Sequence, residues 1–167
     1  MKNVEKRVIV QENVSVEYLI QGKGPTIVFL PSRGRDQEDF DPICELIAAD
    51  GFQIVRPQPR GIGKSKGPME DVNLHDLAKD VADVLEAEKT GPALIAGHAF
   101  GNWIARIVAL DYPHLTAAIS VVAAAAKGAF DPDVLASLKK CSDLSIPDEE
   151  RIKHIEKVFF TEFGKGN

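Results

Sequence analysis

The chain reads as an α/β domain, a mostly parallel sheet with flanking helices. Three observations carry that reading. Residues 26–30 and 93–97 are continuously apolar runs of strand length, as expected for strands buried on both faces. Helical periodicities alternate with strand patterns from residue 26 onward, which points to parallel strands joined by right-handed crossovers. An alternating strand pair precedes them, so the parallel part follows an antiparallel start.

In order, residues 7–11 and 14–21 form that first pair, split by Glu12 and Asn13. In the second strand Val14, Val16, Tyr18 and Ile20 share one face, with Ser15, Glu17 and Leu19 on the other. Lys23, Gly24 and Pro25 mark a turn before the buried strand 26–30. Asp41 is placed as an N-cap with Pro42 at the first helical position. Phe40, Ile43, Cys44, Ile47 and Ala48 then recur at helical spacing, and Gly51 marks the stop. Residues 53–55 form a short strand, and 57–68 a long loop rich in glycine and proline.

Asn73 caps the next helix, with Asp76 as its capping-box partner and Leu74, Leu77, Val81, Val84 and Leu85 as the buried stripe. After the strand at 93–97, residues 102–112 form a helix apolar nearly all round, which predicts deep burial. Residues 117–122 form the last strand. Beyond Lys127 the pattern turns helical: Asp131 and Pro132 open one helix with Val134, Leu135 and Leu138 inward, and Ile152, Ile155 and Phe159 stripe another. Two segments are therefore expected, a core at 1–127 and a helical lid segment at 128–167 that is incomplete.

Composition excludes several functions. The 167 residues, 44% hydrophobic and 27% charged, are one domain's worth of ordinary globular chain. The net charge of −5 argues against a nucleic-acid partner, whose phosphates demand a basic face. No Lys/Arg block suggests an anionic membrane surface, and the longest mostly apolar run, 117–126, is too short to cross a bilayer. Cys44 and Cys141 form no disulfide or metal pattern, and Cys44 falls on an apolar helix stripe as a small core residue. No signal-peptide core follows Met1, so the expected compartment is cytoplasm. No metal or other cofactor is expected.

The chemistry concentrates at Gly97, His98, Ala99, Phe100 and Gly101. A buried strand, a sharp turn between two glycines and a helix make the context of a nucleophile elbow, Gly-x-Ser-x-Gly. The central residue here is Ala99, and a methyl group cannot attack a carbonyl. The sequence leaves open whether that alanine is native or introduced.

A second run, Arg60-Gly-Ile-Gly-Lys-Ser65, fails as a phosphate loop because Gln58 stands where the Walker pattern needs glycine. It fails as a dinucleotide fingerprint because Lys66 stands where the third glycine belongs. A structural loop is the better reading. Arg33, Arg35, Asp36 and Asp39 crowd the loop after the strand at 26–30. Solvated loop charge is the default there, and an arginine binding a substrate carboxylate is the sharper alternative. His75, His98, His114 and His154 all lie away from any late strand, so none is placed as a catalytic base.

Four segments in order resemble the N-terminal part of the α/β-hydrolase-fold family. Phe29-Leu-Pro-Ser-Arg-Gly34 resembles its loop after the third strand, and Arg60-Gly-Ile-Gly-Lys-Ser65 its turn after the fourth. Gly97-His-Ala-Phe-Gly101 resembles the elbow, in a subgroup with this alanine, and the stretch after Lys127 resembles the start of a lid. The resemblance implies an oxyanion hole from the amides of Phe100 and Arg33, and a pocket bordered by Ser32, His98 and Trp103. The bland alternative for Trp103 is helix–sheet core.

The chain departs from the family in Ala99, and in Pro31 and Ser32 where His-Gly is usual. The family's later strands, which bring the acid and the histidine, do not follow. Ending after the sixth strand is expected to leave an open edge and an uncovered face, completed by further chain, a second chain or a homodimer. The implied function is that of an ester or other small-molecule hydrolase, inactive as this chain stands. The alternative is a non-catalytic small-ligand-binding or signalling module on the same fold.

Overall fold

The structure, a computed structural model, describes residues 4–124, 132–141 and 143–159. Six strands form one sheet: β1 (Glu5–Gln11), β2 (Val14–Gly22), β3 (Thr26–Leu30), β4 (Gln53–Pro57), β5 (Ala93–His98) and β6 (Thr116–Val122). Their order is β1-β2-β4-β3-β5-β6. β1, β2 and β4 pair antiparallel, whereas β4, β3, β5 and β6 run parallel. The strands are joined by α1 (Asp41–Ala49), α2 (Leu74–Glu88) and α3 (Gly101–Asp111).

The period-two pattern of the strands sorts the core into two layers. Val28, Leu30, Val55 and Ile95 face α2 and α3, packing with Val81, Leu85, Ala105 and Val108. The neighbouring residues Ile27, Ile54 and Ala96 face the other way and pack with Cys44 and Ile47 of α1. After β3 the chain crosses to β4 on one side, then returns to β5 on the other. That makes the β3–β5 junction the switch point of the sheet, with Leu30 paired to Gly97 at its carboxyl end.

Several local signals act as read. Asn73 Oδ1 accepts from the amides of His75 and Asp76, while Asp76 accepts from the Asn73 amide, so the capping box of α2 is complete. Such a cap contributes about 1 kcal/mol. Cys44 is fully buried, and burial pushes its thiol up to about 11.

Other expectations are corrected. Asp41 is the first residue of α1 and does not cap it; Phe40 stands at the N-cap without a side-chain bond. The cap belongs instead to Asp36, at the head of an unexpected 3-10 turn (Gln37–Phe40). Asp41 is drawn away by Arg56, whose guanidinium is fully buried and lies 2.6 Å from it. The same need extends β4 to Pro57, two residues beyond the expected end, because Arg56 is a strand residue inside the core. α3 buries one face only: Ala105 and Val108 are inaccessible, yet Leu110 is 69% exposed.

β6 pairs with β5 on one side, and Ile119, Val121 and Val122 are exposed. The described residues divide into two compact units, one up to Ala124 and one beyond it. The second contains α4 (Pro132–Cys141) and α5 (Asp148–Phe159). Within α4, Leu135 is exposed where the sequence pattern placed it inward. Asp131 and the Phe159 side chain lie outside the described residues. No described helix is long and apolar enough to cross a membrane.

Candidate functional site

The elbow is built by two close approaches. A Cβ on Gly97 would lie within 3.0 Å of the backbone of Gly101 and Asn102. A Cβ on Gly101 would lie within 3.0 Å of the backbone of Leu30 and Pro31. Only glycine fits at either position, and together they bring β5, α3 and the root of the loop after β3 into backbone contact. The turn between them forces Ala99 to φ 48°, a left-handed conformation that costs a non-glycine residue about 1 kcal/mol.

Bonds on three sides hold that conformation. The Ala99 amide donates to Val122 O at the end of β6 (2.9 Å), and Ala99 O accepts from the Asn102 amide (3.2 Å). The fully buried Asn102 side chain also donates through Nδ2 to Ala99 O. Nothing in the sequence pattern singled out Asn102.

The amides of Arg33 and Phe100 behave differently. Neither bonds another described group. Phe100 precedes the first turn of α3, where helix amides are unspent and the dipole favours negative charge. The loop carrying Arg33 is held from beneath. Arg56 donates to Gln37 O (2.8 Å), Asp41 and Gln21 Oε1 (2.9 Å), and Gln37 donates to Pro57 O. Gln58 Oε1 accepts from the Gln37 amide (3.0 Å) while its Nε2 donates to Asp36 (2.8 Å). A buried cation on β4 therefore ties the turn that follows the loop to β2 and to the start of α1 at once.

A cavity of about 560 Å³ opens between this loop, the loop after β4, α2 and α3. Its wall includes Leu30, Ile62, Met69, Leu77, Val81 and Ile104, with Ser32, Arg33, Gln58, Arg60, Asp80 and Phe100 as well. The volume lies inside the range of about 300–1,000 Å³ usual for small-molecule sites. Arg60 and Asp80 form a two-pronged ion pair in the wall (2.7 and 2.9 Å), both side chains nearly inaccessible. Burial outweighs the Arg60 contact and raises the Asp80 carboxyl above its ordinary value, whereas the bond to Asp80 holds Arg60 more firmly protonated.

Of the residues singled out from the sequence, Ser32, Arg33 and Phe100 line this cavity. His98, Trp103 and Ala99 do not. His98 ends β5 exposed, and Trp103 is half-buried with Arg106 stacked 5.3 Å from its ring centroid. Arg35 turns away to Asp39 (2.6 Å), which leaves Arg33 as the loop arginine on the cavity. His75 pairs with Asp111 (2.6 Å), and no histidine is in the cavity wall. No described cluster of His, Cys, Asp and Glu could hold a metal. Asp80 was missed, although it carried a signal: it lies three residues after Leu77 and four before Val84, an acid on an apolar stripe.

A sheet ordered 1-2-4-3-5-6 with a strained elbow at its switch point defines a protein class. The chain belongs to the alpha/beta hydrolase fold family, whose model matches residues 25–144. Among curated proteins it is 28% identical over 113 residues to the pyrrolizixenacetamide deacetylase of Xenorhabdus hominickii, covering 67% of this chain and 42% of that one. It is also 28% identical over 112 residues to the mitochondrial palmitoyl-protein thioesterase ABHD10 of Homo sapiens, covering 64% and 36%. The chain thus spans less than half the length of these relatives. Among solved structures, the epoxide hydrolase VrEH1 of Vigna radiata superposes with a TM-score of 0.70 at 17% identity, over 84% of this chain and 44% of that one.

Proposed function

We propose that this chain carries a hydrolase-type acyl-binding elbow that binds its ligand without cleaving it. The observation that supports the reading is Ala99 at φ 48°. The backbone keeps the strained conformation of a nucleophile elbow, but the residue there has no hydroxyl. Strain of this kind is retained at functional sites, and the unspent amides of Phe100 and Arg33 are the donors an oxyanion hole requires. That relatives are named a deacetylase and a thioesterase supports acyl chemistry in the lineage. The activity of the whole protein follows only as far as this reading does.

Restoring the hydroxyl tests it. The complete protein with Ala99→Ser is expected to be labelled covalently by a fluorophosphonate, with the wild type unlabelled. A folded Ala99→Ser protein that takes no label would show that the turn is only a tight junction. A second reading, a pure binding or signalling module, gains support from the cavity if a ligand binds saturably while Ala99→Ser still fails to turn over any ester.

A further inference from the structure

We propose that Asn102 is a positioning residue: its side-chain amide fixes the peptide between Ala99 and Phe100 and so sets the direction of the Phe100 amide. The inference rests on the elbow reading above for the use of that amide, but its evidence is Asn102 itself.

Asn102 makes a bond that its acceptor does not require. Ala99 O already accepts from the Asn102 backbone amide (3.2 Å). The Asn102 Nδ2 group adds a second donor to the same oxygen. The side chain is fully buried, and its Oδ1 has no partner among the described residues. Turning the amide over would set Oδ1 against a carbonyl oxygen, so the orientation follows from the chemistry. A buried amide with one half unpaired is unfavourable, and an aliphatic side chain of similar shape would fill the space without that penalty. Packing by itself therefore does not select asparagine at this position.

The second donor acts on a whole peptide group. The Ala99 carbonyl and the Phe100 amide share one plane, and no cis peptide occurs among the described residues. In a trans peptide the C=O and N–H point in opposite directions. Two donors from Asn102 on Ala99 O thus hold the plane from the α3 side and turn the Phe100 N–H away from it. That amide bonds no other described group, and Phe100 belongs to the cavity wall. Neighbours hold both sides of the plane. The Ala99 amide is tied to Val122 O (2.9 Å), and a Cβ on Gly97 would lie 2.5 Å from the Asn102 backbone. Donation to the carbonyl also polarises the peptide, which makes its N–H the stronger donor. A donor aimed before the ligand arrives is what stabilising developed negative charge requires.

Backbone amide relaxation of the complete protein, measured by NMR, tests this without any activity. The Phe100 amide is expected to be rigid in the wild type, with an order parameter of about 0.85, and to fall toward about 0.6 in Asn102→Leu. Amides further along α3 should stay unchanged. Asn102→Ser, whose hydroxyl can donate to the same carbonyl, should restore the rigid value. Stability should not follow that order, and Asn102→Leu is expected to keep Tm within about 3 °C of wild type. In the Ala99→Ser background, Asn102→Leu should slow fluorophosphonate labelling about tenfold, in the maximal rate rather than the half-saturating concentration. If Asn102→Leu does not fold, Asn102→Ala takes its place in each comparison. A Phe100 amide that stays rigid in the aliphatic variant overturns the proposal, as does labelling at the parent rate. Loss of order spread along α3 with a large fall in Tm would make Asn102 a packing residue only, which also overturns it. If the amide loosens locally but Ala99→Ser takes no label, the elbow reading falls and the positioning stands. If Ala99→Ser is labelled and the amide does not depend on Asn102, the positioning falls and the elbow stands.

Discussion

The two glycine-rich turns of this chain make opposite use of left-handed backbone. In the turn at Arg60-Gly-Ile-Gly-Lys-Ser65, positive φ falls on Gly61 and Gly63, at 82° and 57°. Its Arg60 and Ser65 side chains and most of its amides are bonded to neighbours. Glu17 takes the Lys64 amide (2.8 Å), and Ser65 Oγ bridges the Glu17 amide to Gln58 O, at 2.9 Å on each side. Arg60 closes on Asp80. In the elbow, positive φ falls on an alanine, and the next amide has no partner among the described residues. The first turn carries its positive φ on glycines and is tied to β2 and α2 by side-chain bonds, so it serves as a fastening. The second keeps positive φ on a residue with a Cβ, strain that a tight junction built with glycine would not need.

The sharpest way to test the fastening is to remove Asp80. With Asp80→Ala the buried Arg60 guanidinium loses its counter-charge, and the expected loss is about 4 kcal/mol in urea unfolding. The isosteric Asp80→Asn gives the sign of the pH dependence. Burial raises the Asp80 carboxyl in the folded protein above the 3.8 of the unfolded chain. The unfolded chain therefore ionises first as pH rises. The stability that Asp80 contributes relative to Asn is greatest below 3.8 and declines as pH rises through the folded value. A difference that grows with pH in that window would mean that the ion pair, not burial, dominates.

The elbow is tested next by closing its approaches. Gly101→Ala puts a methyl against the Leu30 and Pro31 backbone, which has no rotamer to give. The expected cost is about 3 kcal/mol in urea unfolding. Gly63→Ala in the other turn meets the Glu17 carboxylate, the end of a side chain that can swing, and should cost less. A Gly101→Ala protein as stable as wild type would mean that α3 and the loop after β3 are not locked together.

Much of this was legible locally. The strand at residues 26–30, the Asn73 cap and the glycines of the elbow are each set by neighbours within a few positions, and they stand where the pattern placed them. The misses share a different cause. Arg56 falls just past the strand expected at 53–55, yet its partners Gln21, Gln37 and Asp41 come from three separate segments, and no window of sequence shows them together. The same cation explains why Asp41, a good N-cap by type, caps nothing. His98 and Trp103 were placed at the pocket by motif neighbourhood, but the turn aims neither into the cavity wall. The pocket was assigned from chain proximity to the elbow, whereas its volume is set by α2 and the loop after β4.

The smallest effect separates the two turns most cleanly. At Gly61 an added Cβ meets nothing closer than the Met69 side chain at 3.6 Å, so Gly61→Ala tests the dihedral alone. It should destabilise by about 1 kcal/mol, since alanine resists φ 82° more than it gains from a stiffer unfolded chain. Ala99→Gly runs the exchange in reverse. Relief of the left-handed strain returns about 1 kcal/mol, while the looser glycine chain gives up about 0.5–1. The net change is expected to be close to zero, and Ala99→Val, β-branched at the same φ, should lose about 2 kcal/mol. Two turns with left-handed backbone would then answer an alanine–glycine exchange with different magnitudes. A loss above about 1 kcal/mol for Ala99→Gly would mean that the methyl packs rather than strains, and the case for an elbow kept for binding would lose its support.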